Sequence, residues 1–145
     1  MSIEIIEESI AFNLYGVSGP VENFDYAGSG MKLMEAMNGR IQLAGLEGKG
    51  TMFWVYDSTE QMFAGHEFAD GEAAASVLEH RPVAMRRYAY QKYIGPYSGL
   101  GDVHRGLETV IKSLGQNEIG PRVEKYGDWT EDESQLVTEI FIGLE

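Results

Sequence analysis

The chain is 145 residues long, the modal size of one domain, and 43% of it is apolar, enough to fill a core. Its 11 Lys and Arg stand against 23 Asp and Glu, and the net charge of −12 argues against direct nucleic-acid or membrane binding. With no cysteine and no apolar run near the ~20 residues of a membrane span, disulfides and thiolate chemistry are excluded and a cytoplasmic chain is expected.

The elements repeat along the chain. Ala11 to Tyr15 reads as a strand leading to Gly19-Pro20, and Tyr88 to Ile94 as a strand leading to Gly95-Pro96, 76 residues later. After Pro96, Leu100, Val103, His104, Leu107, Val110, Ile111 and Leu114 fall at steps of three and four, the stripe of an amphipathic helix. Ser98 suits its start, Asp102 its first turn, and Gly115 its left-handed C-terminal residue. The same offset predicts an earlier helix with Phe24, Met31 and Met34 on its stripe and Gly39 at its end, weakened by Gly28 and Gly30.

Further on, Gly50 and Tyr56 match Gly120 and Tyr126 at a spacing of 70, which predicts six extra residues in the first post-helix loop. That loop, Gly45 to Gly50, lacks the hydroxyl of a phosphate-binding loop. Strands are expected over residues 51–56 and 121–126, and closing strands over 61–68 and 136–142. An Ala- and Glu-rich bridge spans 70–79. The order predicts an α+β fold of two βαββ modules, 1–69 and 80–145, each an antiparallel sheet with one helix, related by pseudo-twofold symmetry about a groove.

In the last strand, alternation puts Leu136, Thr138, Ile140 and Ile142 on one face and Val137, Glu139 and Phe141 on the other. If helices cover the first face, Glu139 sits between apolar neighbours, where a carboxylate is costly unless paired. Two readings stay open at this point: an edge-strand glutamate in solvent, or a centre for a cationic ligand or acid–base work. Trp54 and Tyr56 share one strand face, Tyr126 is their counterpart, and Tyr88 and Tyr90 alternate before Gly95-Pro96. Such rings can fill a core or wall a cleft around an organic cation. The methionines 31, 34, 37, 52 and 62 read most simply as core fillers.

No metal site or cofactor is expected. His66, His80 and His104 are scattered, and His104 reads as an interior imidazole on the helix stripe. Asp128, Glu131, Asp132 and Glu133 form a solvated acidic turn. No G-x-S-x-G nucleophile elbow occurs.

Arg87-Tyr88-Ala89, Gly95-Pro96-Tyr97, Leu100 and the helix to Leu114, Tyr126, and Thr138-Glu139-Ile140-Phe141-Ile142 together resemble the GyrI-like domain. This is the bacterial AraC-type effector-binding domain, related to the SOUL haem-binding fold. The resemblance implies a groove for hydrophobic, often cationic small molecules, with a last-strand glutamate at its centre. Glu139 matches that glutamate and Tyr126 the aromatic on the preceding strand; Trp54, Tyr56, Tyr90 and Phe141 are ligand-binding candidates by strand position. An aromatic common near His104 in relatives is missing here.

With no helix-turn-helix segment, the chain resembles stand-alone members, which implies ligand sequestration. The alternatives are a hydrolase of cyclopropane-type electrophiles using Glu139 as base with a tyrosine such as Tyr126 as acid, and an acidic gyrase-type modulator meeting a basic protein partner. Haem fits least, because no histidine is placed as an axial ligand.

Overall fold

A computed structural model describes residues 3–47 and 51–145. Gly48, Lys49 and Gly50 of the expected loop lie outside the described residues. The strands are β1 (Glu4–Ile6), β2 (Ile10–Pro20), β3 (Met52–Tyr56), β4 (Gln61–His66), β5 (Glu79–Met85), β6 (Arg87–Ile94), β7 (Glu118–Tyr126) and β8 (Val137–Leu144). The helices are α1 (Tyr26–Ala44), α2 (Gly71–Ala75) and α3 (Leu100–Ser113). No helix is long and apolar enough to cross a membrane among the described residues.

The chain forms two compact units: Ala11–Val83, and Ala84–Glu145 with the first ten residues. In the first unit the strands lie in the order β3-β4-β2-β5, and in the second β7-β8-β6-β1. Each unit therefore repeats one arrangement: the strand after the helix, the closing strand, the opening strand, and one strand more. The fold is α+β, with the strand-helix-strand-strand order in both halves. The outermost strands, β1 and β5, escape the sequence reading. β1 has three residues, and β5 starts inside the expected bridge and carries Pro82, tolerated because an edge strand leaves one side unpaired.

The repeat's spacing changes earlier than the sequence suggests. α1 runs through Gly39 and ends at Gly45, whose φ of 67° matches the 69° of Gly115. The Gly45 and Leu46 amides donate to Gln42 and Ile41, as those of Gly115 and Gln116 do to Lys112 and Ile111. Both helices thus close with the same glycine-dependent motif, 70 residues apart.

At that spacing the buried residues Leu100, Leu107 and Ile111 of α3 match Gly30, Met37 and Ile41 of α1. The six extra residues therefore precede the buried stripe of α1 rather than follow the helix. Phe24 and Met31, expected on that stripe, are 75% and 54% exposed. At the start of α3, a short 3-10 turn (Tyr97–Gly99) replaces the expected Ser98 cap, and Gly99 caps without a side chain.

In the second unit α3 packs Leu100, Leu107 and Ile111 on Ala89, Ile140, Ile142 and Leu144. In the first, Met37 of α1 joins Tyr15, Val17, Ala74 and Leu78. A Cβ on Gly30 would lie 2.4 Å from the Trp54 ring, whereas one on Gly39 meets nothing within 4 Å.

Gly30→Ala is therefore expected to cost about 1–2 kcal/mol, the overpacking outweighing the gain in helix propensity. Gly39→Ala should stabilise by about 0.5–1 kcal/mol. Urea unfolding of the two variants checks the opposite signs.

Candidate functional site

β8 runs between β6 and β7, with Glu139 directly across from Lys92 on one side and Lys125 on the other. Thr138 is paired with Tyr93 and Tyr126, and Ile140 with Gln91 and Glu124. Side chains alternate along each strand, so the two faces separate cleanly. Thr138, Ile140 and Ile142 lie on the α3 face with Tyr126, Glu124 and Arg122. Glu139 and Phe141 lie on the other, with Tyr88, Tyr90, Lys92, Val123 and Lys125.

On that second face the rings form a continuous run. Tyr88 and Tyr90 flank Phe141, with centroids 5.7 and 5.2 Å away. Phe141 and Tyr88 are buried, and the face opens toward exposed Lys92 and Ile94. The Tyr90 hydroxyl donates to Oε1 of Glu139 at 2.6 Å, and the Lys125 ammonium stands 3.9 Å from Oε2. The Glu139 side chain keeps 31% of its surface exposed, and the Lys125 side chain 40%. At that exposure the ion pair contributes no more than ~1 kcal/mol. Desolvation pushes the Tyr90 phenol up, and the Glu139 bond and charge reinforce the shift. Tyr90 is therefore held as a donor. Burial and the charges of Glu8 and Glu4 push Tyr88 up as well.

The expected site residues divide. Glu139, Tyr90 and Phe141 are brought together. Tyr126 is not among them: its place opposite Thr138 puts it on the α3 face, where its ring meets Tyr97 edge-on at 5.5 Å. The sequence expectation of a Glu139–Tyr126 acid–base pair is thus corrected by the register. Trp54 and Tyr56 lie in the first unit on the face covered by α1. Trp54 packs on Gly30, and Tyr56 meets Tyr26 edge-on at 5.7 Å, the counterpart of the Tyr97–Tyr126 contact.

One charged residue went unnoticed in the sequence. Glu124, 2% exposed, accepts from the Tyr126 hydroxyl through Oε1 and from His104 Nε2 through Oε2 at 2.8 Å. Arg122 donates to His104 Nδ1 at 3.2 Å and to Glu108 and Glu118. Because Arg122 can only donate and the carboxylate accepts, these bonds place the His104 proton on Nε2. Desolvation opposes the Arg122 charge, but the bonds to Glu118 and Glu108 prevail and raise its pKa. The signal was present as alternation: Glu124 and Tyr126 share the face that the helix covers.

Two concavities lie elsewhere. One of about 270 Å³ is lined by Thr51, Glu67, Phe68 and Ala69; another of about 370 Å³ lies against α3 beside Glu108, Gln116 and Arg122. No group of His, Asp and Glu suited to hold a metal ion occurs among the described residues.

Neither a family model nor a curated protein matches the chain. Solved structures do, along nearly all of it. The EcmrR C-terminal domain is 18% identical with a TM-score of 0.79, covering 99% of this chain and 97% of that one. SAV2435 bound to tetraphenylphosphonium is 14% identical with a TM-score of 0.67, covering 100% and 94%. A hydrolase from Listeria innocua is 8% identical with a TM-score of 0.57, covering 99% and 91%. Against the EcmrR chain in a DNA complex, this chain spans 57% of the length. At these identities the likeness is one of fold, and the fold is the α+β GyrI-like one that the residues resemble.

Replacing Glu124 by Ala removes the buried acceptor of two hydrogen bonds. Unfolding free energy is expected to fall by about 3 kcal/mol. An unfolding curve within 0.5 kcal/mol of the parent, on the scale of an ordinary surface change, would refute the burial argument.

Proposed function

We propose that the chain binds hydrophobic small molecules carrying a cationic centre, on the second-unit face that holds Glu139. The observation that carries this reading is the 2.6 Å bond from Tyr90 to Glu139, beside the Tyr88–Phe141–Tyr90 run. The hydroxyl orients one carboxylate oxygen and leaves the other turned toward the Lys125 ammonium. Ring faces supply apolar area and attraction for a cation, and the half-buried carboxylate supplies the charge. SAV2435, which has this fold, is bound to a lipophilic cation, and that supports the same class of ligand here. EcmrR, another protein of this fold, occurs in a DNA complex. With a net charge of −12, this chain is read as a stand-alone module that sequesters its ligand, the charge opposing direct contact with DNA.

The role assigned to Glu139 is electrostatic. Glu139→Gln keeps the size and the bond from Tyr90 but removes the charge. Tetraphenylphosphonium affinity, followed by calorimetric titration, is expected to drop roughly tenfold, while thermal unfolding stays within about 1 kcal/mol of the parent. Unchanged affinity would remove the carboxylate from the site.

A further inference from the structure

The face around Glu139 is not a plain anionic trap. The chain has five lysines among 145 residues, and two of them occupy the two positions directly across from Glu139. Directly paired residues on one face hold their Cβ atoms ~5 Å apart, so Lys92 and Lys125 both lie within reach of whatever Glu139 binds. Lys125 is already drawn in, at 3.9 Å from Oε2. Lys92 is exposed at the open end of the face. On β1, the acidic Glu4 is across from Tyr90, one alternate residue further along β6. The centre of the face thus reads plus, minus, plus, within a protein whose surface is otherwise strongly anionic.

A simple lipophilic cation must displace the Lys125 ammonium from Glu139 and then remain beside two ammonium groups. A ligand that also carries an acidic group replaces the interaction it breaks. Its cationic centre meets Glu139, and its acid meets the Lys125 ammonium and the exposed Lys92. We propose that this site selects zwitterionic aromatic ligands over monocations of the same shape, with Lys92 and Lys125 as the residues that set the preference. The inference rests on the ligand-binding reading of Glu139 and narrows it.

Rhodamine B and rhodamine B ethyl ester make a matched test, because they share the cationic ring system and differ in whether the carboxylate is free. Fluorescence anisotropy titrations should show the parent protein binding rhodamine B roughly fivefold more tightly than the ester, with the gap narrowing at high salt. The double variant K92M/K125M should lose the preference and bind the ester more tightly than the parent does. K92M alone, at an exposed position that leaves folding untouched, should lose part of it. E139Q should weaken both dyes.

Equal binding of the two dyes by the parent, or a preference that survives in both lysine variants, overturns the selectivity. If E139Q still weakens both dyes in that case, the ligand-binding face itself stands. If neither dye binds, or neither responds to E139Q, both readings fail.

Discussion

A strand can give each of its faces only every second side chain, and the second unit depends on how β8 obeys that constraint. Thr138, Ile140 and Ile142 go beneath α3, where they are fully buried with Leu107 and Ile111. Glu139 and Phe141 must then go to the opposite face, together with every second residue of β6 and β7. A one-residue slip would drive Glu139 into the α3 core and turn Ile140 out. The hydrophobic demand of the helix-covered face is therefore what fixes a charged residue among aromatic rings on the other. Position follows from packing, and chemistry follows from position.

The unit holds two carboxylates in contrasting states. Glu124 is withdrawn from water, and two donors, Tyr126 and His104, close on its oxygens. Both its oxygens accept, and the imidazole beside it is held on both sides by Glu124 and Arg122. Glu139 keeps about a third of its surface, one hydrogen-bond donor at 2.6 Å and one ammonium at 3.9 Å. The first arrangement ties β7 to α3; the second is open to exchange. Burial alone would rank Glu124 as the more unusual group, yet availability makes Glu139 the functional candidate.

Much of this was legible in the chain. The Gly-Pro echo, the α3 stripe and the period-two pattern of β8 gave the element order and the face of Glu139. They are local signals, set by side-chain periodicity. What the sequence hid depends on register and pairing. Tyr126 looked like a partner of Glu139 because both lie on strands of the same sheet, but its pairing with Thr138 puts it on the other side. Trp54 and Tyr56 lie on the strand face that α1 covers, against Gly30 and Tyr26. The weak apolar pattern of α1 hid its phase: Gly30 sits on the buried stripe because Trp54 needs the space, not because the helix ends nearby. β1 was missed because a three-residue strand carries almost no pattern of its own, and β5 because it starts inside the Ala- and Glu-rich bridge and Pro82 interrupts it.

A crystal structure with bound rhodamine B would show directly whether an aromatic cation rests against this face of the sheet. The account places the dye's cationic nitrogen system beside the Glu139 carboxylate, its rings against Tyr90 and Phe141, and its carboxylate toward Lys125. Density for the dye in the concavity beside Glu108 and Arg122, with Glu139 still bonded to Tyr90 and Lys125 and no ligand near it, would contradict the account.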